Sequence, residues 1–187
     1  MNVQPYLNKK RLNYVLSKNA SLFALILISI TFGIINKNFF TISNLFNILD
    51  LGSLVSITTI AMALILLMGS IDLSVEGVVG LSGVVVSFLV KNLVNSNDFG
   101  IISIPIAIIV GATFGFLNGY LYSTFKIPSF MTTLGVGFIA SGIGILITRG
   151  SPIVITDMNF RSLAVDRIGF LPNVFLFTLV VFVVLFF

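Results

Sequence analysis

The chain has no cysteine, no histidine and no tryptophan, and among its 187 residues only ten are Lys or Arg and six are Asp or Glu. Without cysteine there are no disulfides, no thiolate metal ligands and no thiol nucleophile. Without histidine as well, the usual zinc sites and the Ser-His or Cys-His hydrolytic arrangements cannot be assembled. Carboxylates, amides and hydroxyls are what remain for chemistry. The sequence also lacks a P-loop and a G-x-G-x-x-G fingerprint, so its residues call for no nucleotide, cofactor or metal. The shortage of charge argues against a water-soluble enzyme, because 9% charged residues cannot cover the surface of a soluble domain of this length. By contrast 57% of the residues are hydrophobic and the mean hydropathy is +1.16, the composition of an integral membrane protein. The net charge of +4 is small and much of it precedes the first apolar run. That placement points to orientation in membrane lipid and gives no reason to expect nucleic acid as a partner.

Apolar segments then follow one another along the chain. Met1 to Asn19 is polar, carries Lys9, Lys10, Arg11 and Lys18, and reads as a cytoplasmic tail (1–19) ahead of a transmembrane domain (20–187). The first span, Ala20 to Ile35, has no A-x-A-like cleavage site behind it and reads as uncleaved. Ser43 or Asn44 is the expected N-cap of a second helix that continues through Leu51 to Met68, with Ser56, Thr59 and Ala63 as a small, hydroxylated contact stripe. Gly77 to Val90 would reach roughly 21 Å at helical rise against a hydrocarbon core of about 30 Å. It therefore borrows residues from the stretch before it or is a half-helix. After the polar Lys91 to Asp98, Ile101 to Tyr122 is a full span in which Gly111, Gly115 and Gly119 make two successive G-x-x-x-G steps for close helix packing. Phe130 to Thr148 carries Gly137, Ser141 and Gly144 along one face, with the same implication. Arg149 to Pro172 reads as an aqueous loop of mixed charge, and Val174 to Phe187 as a last helix cut short. The expected architecture is an all-α polytopic membrane bundle of about six hydrophobic segments, incomplete at its C-terminal end. With a break near 69–77, the N-terminus and Lys126 face the cytoplasm and the 149–172 loop faces out; a re-entrant segment there would invert everything after it.

The stretch that stands apart is Gly69-Ser70-Ile71-Asp72-Leu73-Ser74-Val75-Glu76-Gly77, where two carboxylates interrupt a hydrophobic run. A charge at membrane depth is costly and defaults to a functional hypothesis. Gly69 and Gly77 let the backbone open or turn around the acids. Asp72 then either lines a translocation path, or acts as a pivot holding broken backbone, or caps the turn ahead of the following helix. Glu76 has the alternative of a first-turn acid favoured by the helix dipole. Asn118 can bridge helices or line a path for a hydroxylated solute. Asn44, Asn47 and Thr133 suit caps and interhelical hydrogen bonds. The candidate path residues are Asp72, Ser74, Glu76, Asn118 and Thr133.

Several motifs in order resemble the permease subunits of bacterial ABC importers of the ribose and monosaccharide family, related to the branched-chain amino-acid permeases. They are F-x-T-x-x-N-x-x-N-I-L from Phe39 to Leu49, a segment like G-G-I-D-L-S-V-G from Gly69 to Glu76, G-x-x-N-G from Gly115 to Gly119, P-x-F-x-x-T-L-G from Pro128 to Gly135, and R-G-S-P-I from Arg149 to Ile153. Ser70 and Glu76 stand where the family has glycines. The resemblance covers the N-terminal part of the family pattern, and its cytoplasmic G-N-x-x-A-A segment has no counterpart here. It implies a transporter membrane subunit that is not itself an enzyme and that passes a sugar such as ribose through a dimer. It also implies a cytoplasmic ABC ATPase, an extracytoplasmic solute-binding protein and a second permease subunit as partners, in the bacterial inner membrane. Other readings remain open on the residues alone. One is a proton-coupled carrier in which Asp72 and Glu76 share a proton, or a truncated permease without function. Another is an intramembrane enzyme, which the four-residue spacing of the acids disfavours because it offers no opposed carboxylates.

Overall fold

A computed structural model describes residues 18–186, so the expectation of a cytoplasmic tail falls almost wholly outside the described residues. The described chain forms helices α1 (Ala20–Ile35), α2 (Ile42–Leu67), α3 (Val75–Leu89), α4 (Ser103–Phe125, entered through a 3-10 turn at Gly100–Ile102), α5 (Ser129–Thr148), α6 (Met158–Val165) and α7 (Asn173–Phe186). A short hairpin, β1 (Arg167–Ile168) and β2 (Leu171–Pro172), joins α6 to α7. Three of these segments, α2, α4 with its 3-10 turn, and α5, are long and apolar enough to cross a membrane; α1, α3 and α7 are apolar but shorter.

The chain divides into two units, one ending at Ile48 and the other starting at Leu49. Within the first, Gly33 is covered by the Phe40 ring, whose Cε2 lies 2.1 Å from where a Cβ would stand. Phe39 stacks on Phe32 with centroids 5.9 Å apart and meets Phe40 edge-on. The cap of α2 is neither Ser43 nor Asn44. Thr41 Oγ1 accepts from the Asn44 N–H at 3.3 Å, and the Asn44 amide turns back to donate to the Phe39 carbonyl at 2.8 Å. Thr41, two positions before Ser43, offers the same kind of acceptor, so propensity alone could not choose between them.

In the second unit, α3, α4 and α5 run alternately. The buried apolar residues are Leu81 on α3, Val90 just after it, and Val136 and Ala140 on α5, and α3 packs against α5 along one seam. Gly144 meets Leu81 and Val84 across that seam, and Gly111 of α4 faces Val78 and Ser82 of α3 at ordinary van der Waals distance. Pro105 is tolerated because it sits in the first turn of α4, where its missing N–H has no helical partner in any case. At the far end of α3, buried Asn92 closes the turn. Its Nδ2 donates to the Ser87 and Val90 carbonyls, and its Oδ1 accepts from the Val94 and Asn95 N–H groups. That end is stitched to the chain after α5, with Leu93 N–H donating to Val154 O and Thr156 N–H to Lys91 O. Within this unit α3 runs parallel to α5 and antiparallel to α4, its first turn against Gly137 and its far end beside the chain that follows α5. On α7, the Thr178 hydroxyl reaches the Ser53 carbonyl of α2 at 3.2 Å. Ser56 and Thr59 of the expected contact stripe line a groove with Phe175, Thr178 and Phe182 beside it.

Residues 149–172, expected as a loop, carry the short helix α6 and the β1–β2 hairpin. Asp157 caps α6 by accepting from the Phe160 N–H at 3.1 Å, and Gly169, at φ +65°, supplies the left-handed first position of the hairpin turn. Sequence periodicity over so short a helix is too weak a signal to find it.

Candidate functional site

The break between α2 and α3 is built by one glycine and sustained by side chains from two other helices. Gly69 (φ +74°) ends α2 with its N–H on Leu66 O, while the Ser70 N–H bonds Ile65 O; this paired pattern stops a helix and needs a left-handed residue. From Ile71 to Leu73 the backbone is neither helix nor strand, between the end of α2 and Ser74, which already has helical backbone angles. Non-helical backbone at membrane depth persists only where protein groups satisfy it. Here α5 does so: Ser129 Oγ accepts from the Ile71 N–H at 3.1 Å, and Thr133 Oγ1 accepts from the Leu73 N–H at 2.9 Å. The Thr133 proton is within reach of the Ile71 carbonyl at 3.3 Å. Thr133 is buried and bonds both sides of Asp72, so it stitches the strand-like segment to α5.

Two missing Cβ atoms allow this approach. A Cβ on Gly137 would stand 2.9 Å from Ser74 Cα and 3.2 Å from Leu73 O. One on Gly77 would stand 2.1 Å from Gly137 O and 2.8 Å from Ser141 Oγ. Gly137, Ser141 and Gly144 thus lie on the face that receives α3. Gly115 and Gly119 do not share that role within this chain, since nothing lies within 4 Å of a Cβ built on either.

The carboxylate turns into the break. Half-buried Asp72 accepts through Oδ1 from the Ser74 N–H at 2.7 Å and from the Ser74 hydroxyl at 2.6 Å. Buried Ser74 Oγ in turn accepts from Asn118 Nδ2 at 2.8 Å. An amide, a hydroxyl and a carboxylate therefore form one directed chain from α4 to the break, ending on a charge that strengthens the last bond. Asn118 Oδ1 is buried without a partner, a cost of about 1–3 kcal/mol unless something not of this chain meets it. Glu76, exposed in the first turn of α3, stands apart from that chain of bonds, at the end of the helix where its charge is favoured. So Asp72, Ser74, Asn118 and Thr133 are brought together, and Glu76 faces outward from them. No group of three or more His, Cys, Asp or Glu able to hold a metal occurs among the described residues.

Sequence reasoning overlooked Ser129. The signal was available: Ser129 and Thr133 are four apart and therefore share a face of α5. Replacing Thr133 with Val leaves the Leu73 N–H without an acceptor and is expected to lower stability by about 1–3 kcal/mol. The measurement is the thermal midpoint of the detergent-solubilised protein beside Thr113→Val, whose exposed hydroxyl bonds only Ile109 of its own helix. Equal midpoints for the two variants would refute the stitching role.

Comparison with known proteins gives a consistent picture. A family model described as branched-chain amino acid transport system / permease component matches residues 44–187. The ribose import permease protein RbsC of Escherichia coli is 33% identical over 138 residues, covering 74% of this chain and 42% of that protein. The autoinducer 2 import system permease protein LsrC of Yersinia pseudotuberculosis is 28% identical over 148 residues, 79% of this chain and 41% of the relative. An inner membrane ABC transporter permease protein of Escherichia coli, YjfF, is 34% identical over 108 residues, 56% of this chain and 31% of the relative. The chain thus spans less than half the length of these curated relatives. No solved structure matches.

Proposed function

The chain belongs to the branched-chain amino acid transport system / permease component family and is a multi-pass membrane protein, and from that premise we propose that it is a permease subunit of an ATP-driven ABC importer for a sugar, ribose or a similar monosaccharide. The observation that carries this reading is the family match, which covers the break and every helix packed around it. In this reading the protein lies in the bacterial inner membrane with residues 1–19 in the cytoplasm and 20–187 in the transmembrane domain. It hydrolyses no ATP itself. A cytoplasmic ABC ATPase supplies the energy, an extracytoplasmic binding protein delivers the solute, and a second permease subunit completes the path. Import follows when the two subunits rock between states of different solute affinity.

The path residues divide by role. Asp72, Ser74, Asn118 and Thr133 hold the interrupted backbone, so that the first turn of α3 is fixed inside the bundle. Glu76, on the exposed side of that turn, is the group offered to the path, where a carboxylate can accept hydrogen bonds from sugar hydroxyls. Gly115 and Gly119, open in this chain, are assigned to packing against the second subunit. Membranes containing the intact importer are expected to yield a complex of this protein with a cognate ABC ATPase, and to take up labelled ribose in an ATP-dependent manner. Absence of any such complex overturns the importer reading. Uptake of a different sugar through the same complex overturns only the ribose assignment.

A further inference from the structure

We propose that Met158–Pro172 lies in the headgroup layer of the membrane, and that the groove it forms with α7 takes a phospholipid acyl chain. Its position comes from hydrogen bonds at the mouth of α7. The Asn173 N–H donates to Asp166 O at 3.1 Å, and Asn173 Nδ2 donates to Ser162 O at 3.2 Å. Both α6 and the hairpin are thereby tied to the first residue of a helix that is apolar from Val174 to Phe186. A segment fixed there stands at the level where α7 leaves the hydrocarbon.

Its surface fits that level. Met158, Val165, Ile168 and Phe170 are 73%, 69%, 70% and 79% exposed, and Ile168 and Phe170 flank the glycine at the hairpin turn. Exposed apolar side chains clustered in one short segment mark an interaction surface, while scattered ones would not. A groove of roughly 270 Å³ runs from Leu163 and Ile168 onto Leu176, Phe177 and Val180 of α7, with Asn173 its only polar lining group. Phe177 and Val180 are themselves exposed on the apolar helix, so the groove continues an exposed apolar surface. That continuity favours a lipid over a protein occupant. Beside it, Arg161 and Asp166 line a second cleft with Ser162, a mixed pair suited to the phosphate and ammonium of a zwitterionic headgroup.

The absence of tryptophan makes the test direct, because Phe170→Trp and Ile168→Trp each introduce a sole indole. Either variant of the full chain is reconstituted in phosphatidylcholine and phosphatidylethanolamine vesicles, with free N-acetyltryptophanamide in the same buffer as the aqueous reference. Blue-shifted emission, quenched about twofold or more by shallowly brominated phospholipid and little by acrylamide, is the expected result for positions 168 and 170. Two variants guard against misfolding of one. Emission like that of the free indole reference at both positions overturns the proposal, as does shielding that appears only after a soluble partner protein is added. Failure of the protein to enter vesicles at all would instead count against the membrane reading on which the proposal rests.

Discussion

Gly77→Ala is expected to destabilise the protein by about 3 kcal/mol, at the upper end of what overpacking costs. The added Cβ would fall 2.1 Å from the Gly137 carbonyl oxygen, and the atom it meets is backbone, which cannot swing aside. Helices α3 and α5 must separate, and separation pulls the Leu73–Ser74 backbone off Gly137 and lengthens the Thr133 bond to the Leu73 N–H. One methyl group thus loosens both the seam and the break. Gly80, one turn on, has nothing within 4 Å of its Cβ position. Gly80→Ala should therefore be neutral or stabilise by about 0.5–1 kcal/mol, the helix-propensity gain alone. Thermal midpoints of the two variants in detergent should differ in opposite directions from the parent. A Gly77→Ala midpoint equal to that of Gly80→Ala would refute the close approach of α3 to α5 at Gly137.

The same two glycines illustrate what a sequence discloses. Hydropathy located the apolar segments because burial in lipid constrains composition over about twenty residues at a time. The break was legible for a related reason: a glycine and two acids inside an apolar run have no place in an uninterrupted span. Which glycine touches what was not legible. Gly111, Gly115 and Gly119 present the same spacing, yet only Gly111 lies against α3, at the contact limit, while Gly115 and Gly119 face no atom of this chain. Spacing defines a face and leaves its occupant undetermined. Gly77 was read as a place where backbone can turn, whereas it is helical and its role is to admit Gly137. The helix and hairpin within 149–172 were not legible, since an Asp that caps a helix looks no different in sequence from one that does not.

Among the acids, Asp72 carries the consequence that separates two mechanisms. Its Oδ1 accepts two hydrogen bonds from one buried serine, an arrangement that needs an acceptor oxygen and not a titrating group. Asp72→Asn keeps that oxygen, so stability within about 1 kcal/mol of the parent is expected, the loss being the charge assistance. Asp72→Ala removes it and strands the Ser74 N–H and hydroxyl in a site where water does not replace them, at about 1–3 kcal/mol each. Solute uptake by the assembled importer should follow the same order. The Asn variant is expected to retain uptake within about threefold, and the Ala variant to lose tenfold or more, the factor that about 1.4 kcal/mol of disrupted geometry corresponds to. A carrier in which Asp72 shares a proton with Glu76 behaves otherwise, because an amide cannot carry a proton through the cycle at all. In that case Asp72→Asn would fold like the parent and transport nothing. Measuring midpoint and uptake on the same preparations separates the two, since only the pivot role ties loss of transport to loss of the hydrogen bonds that hold the break.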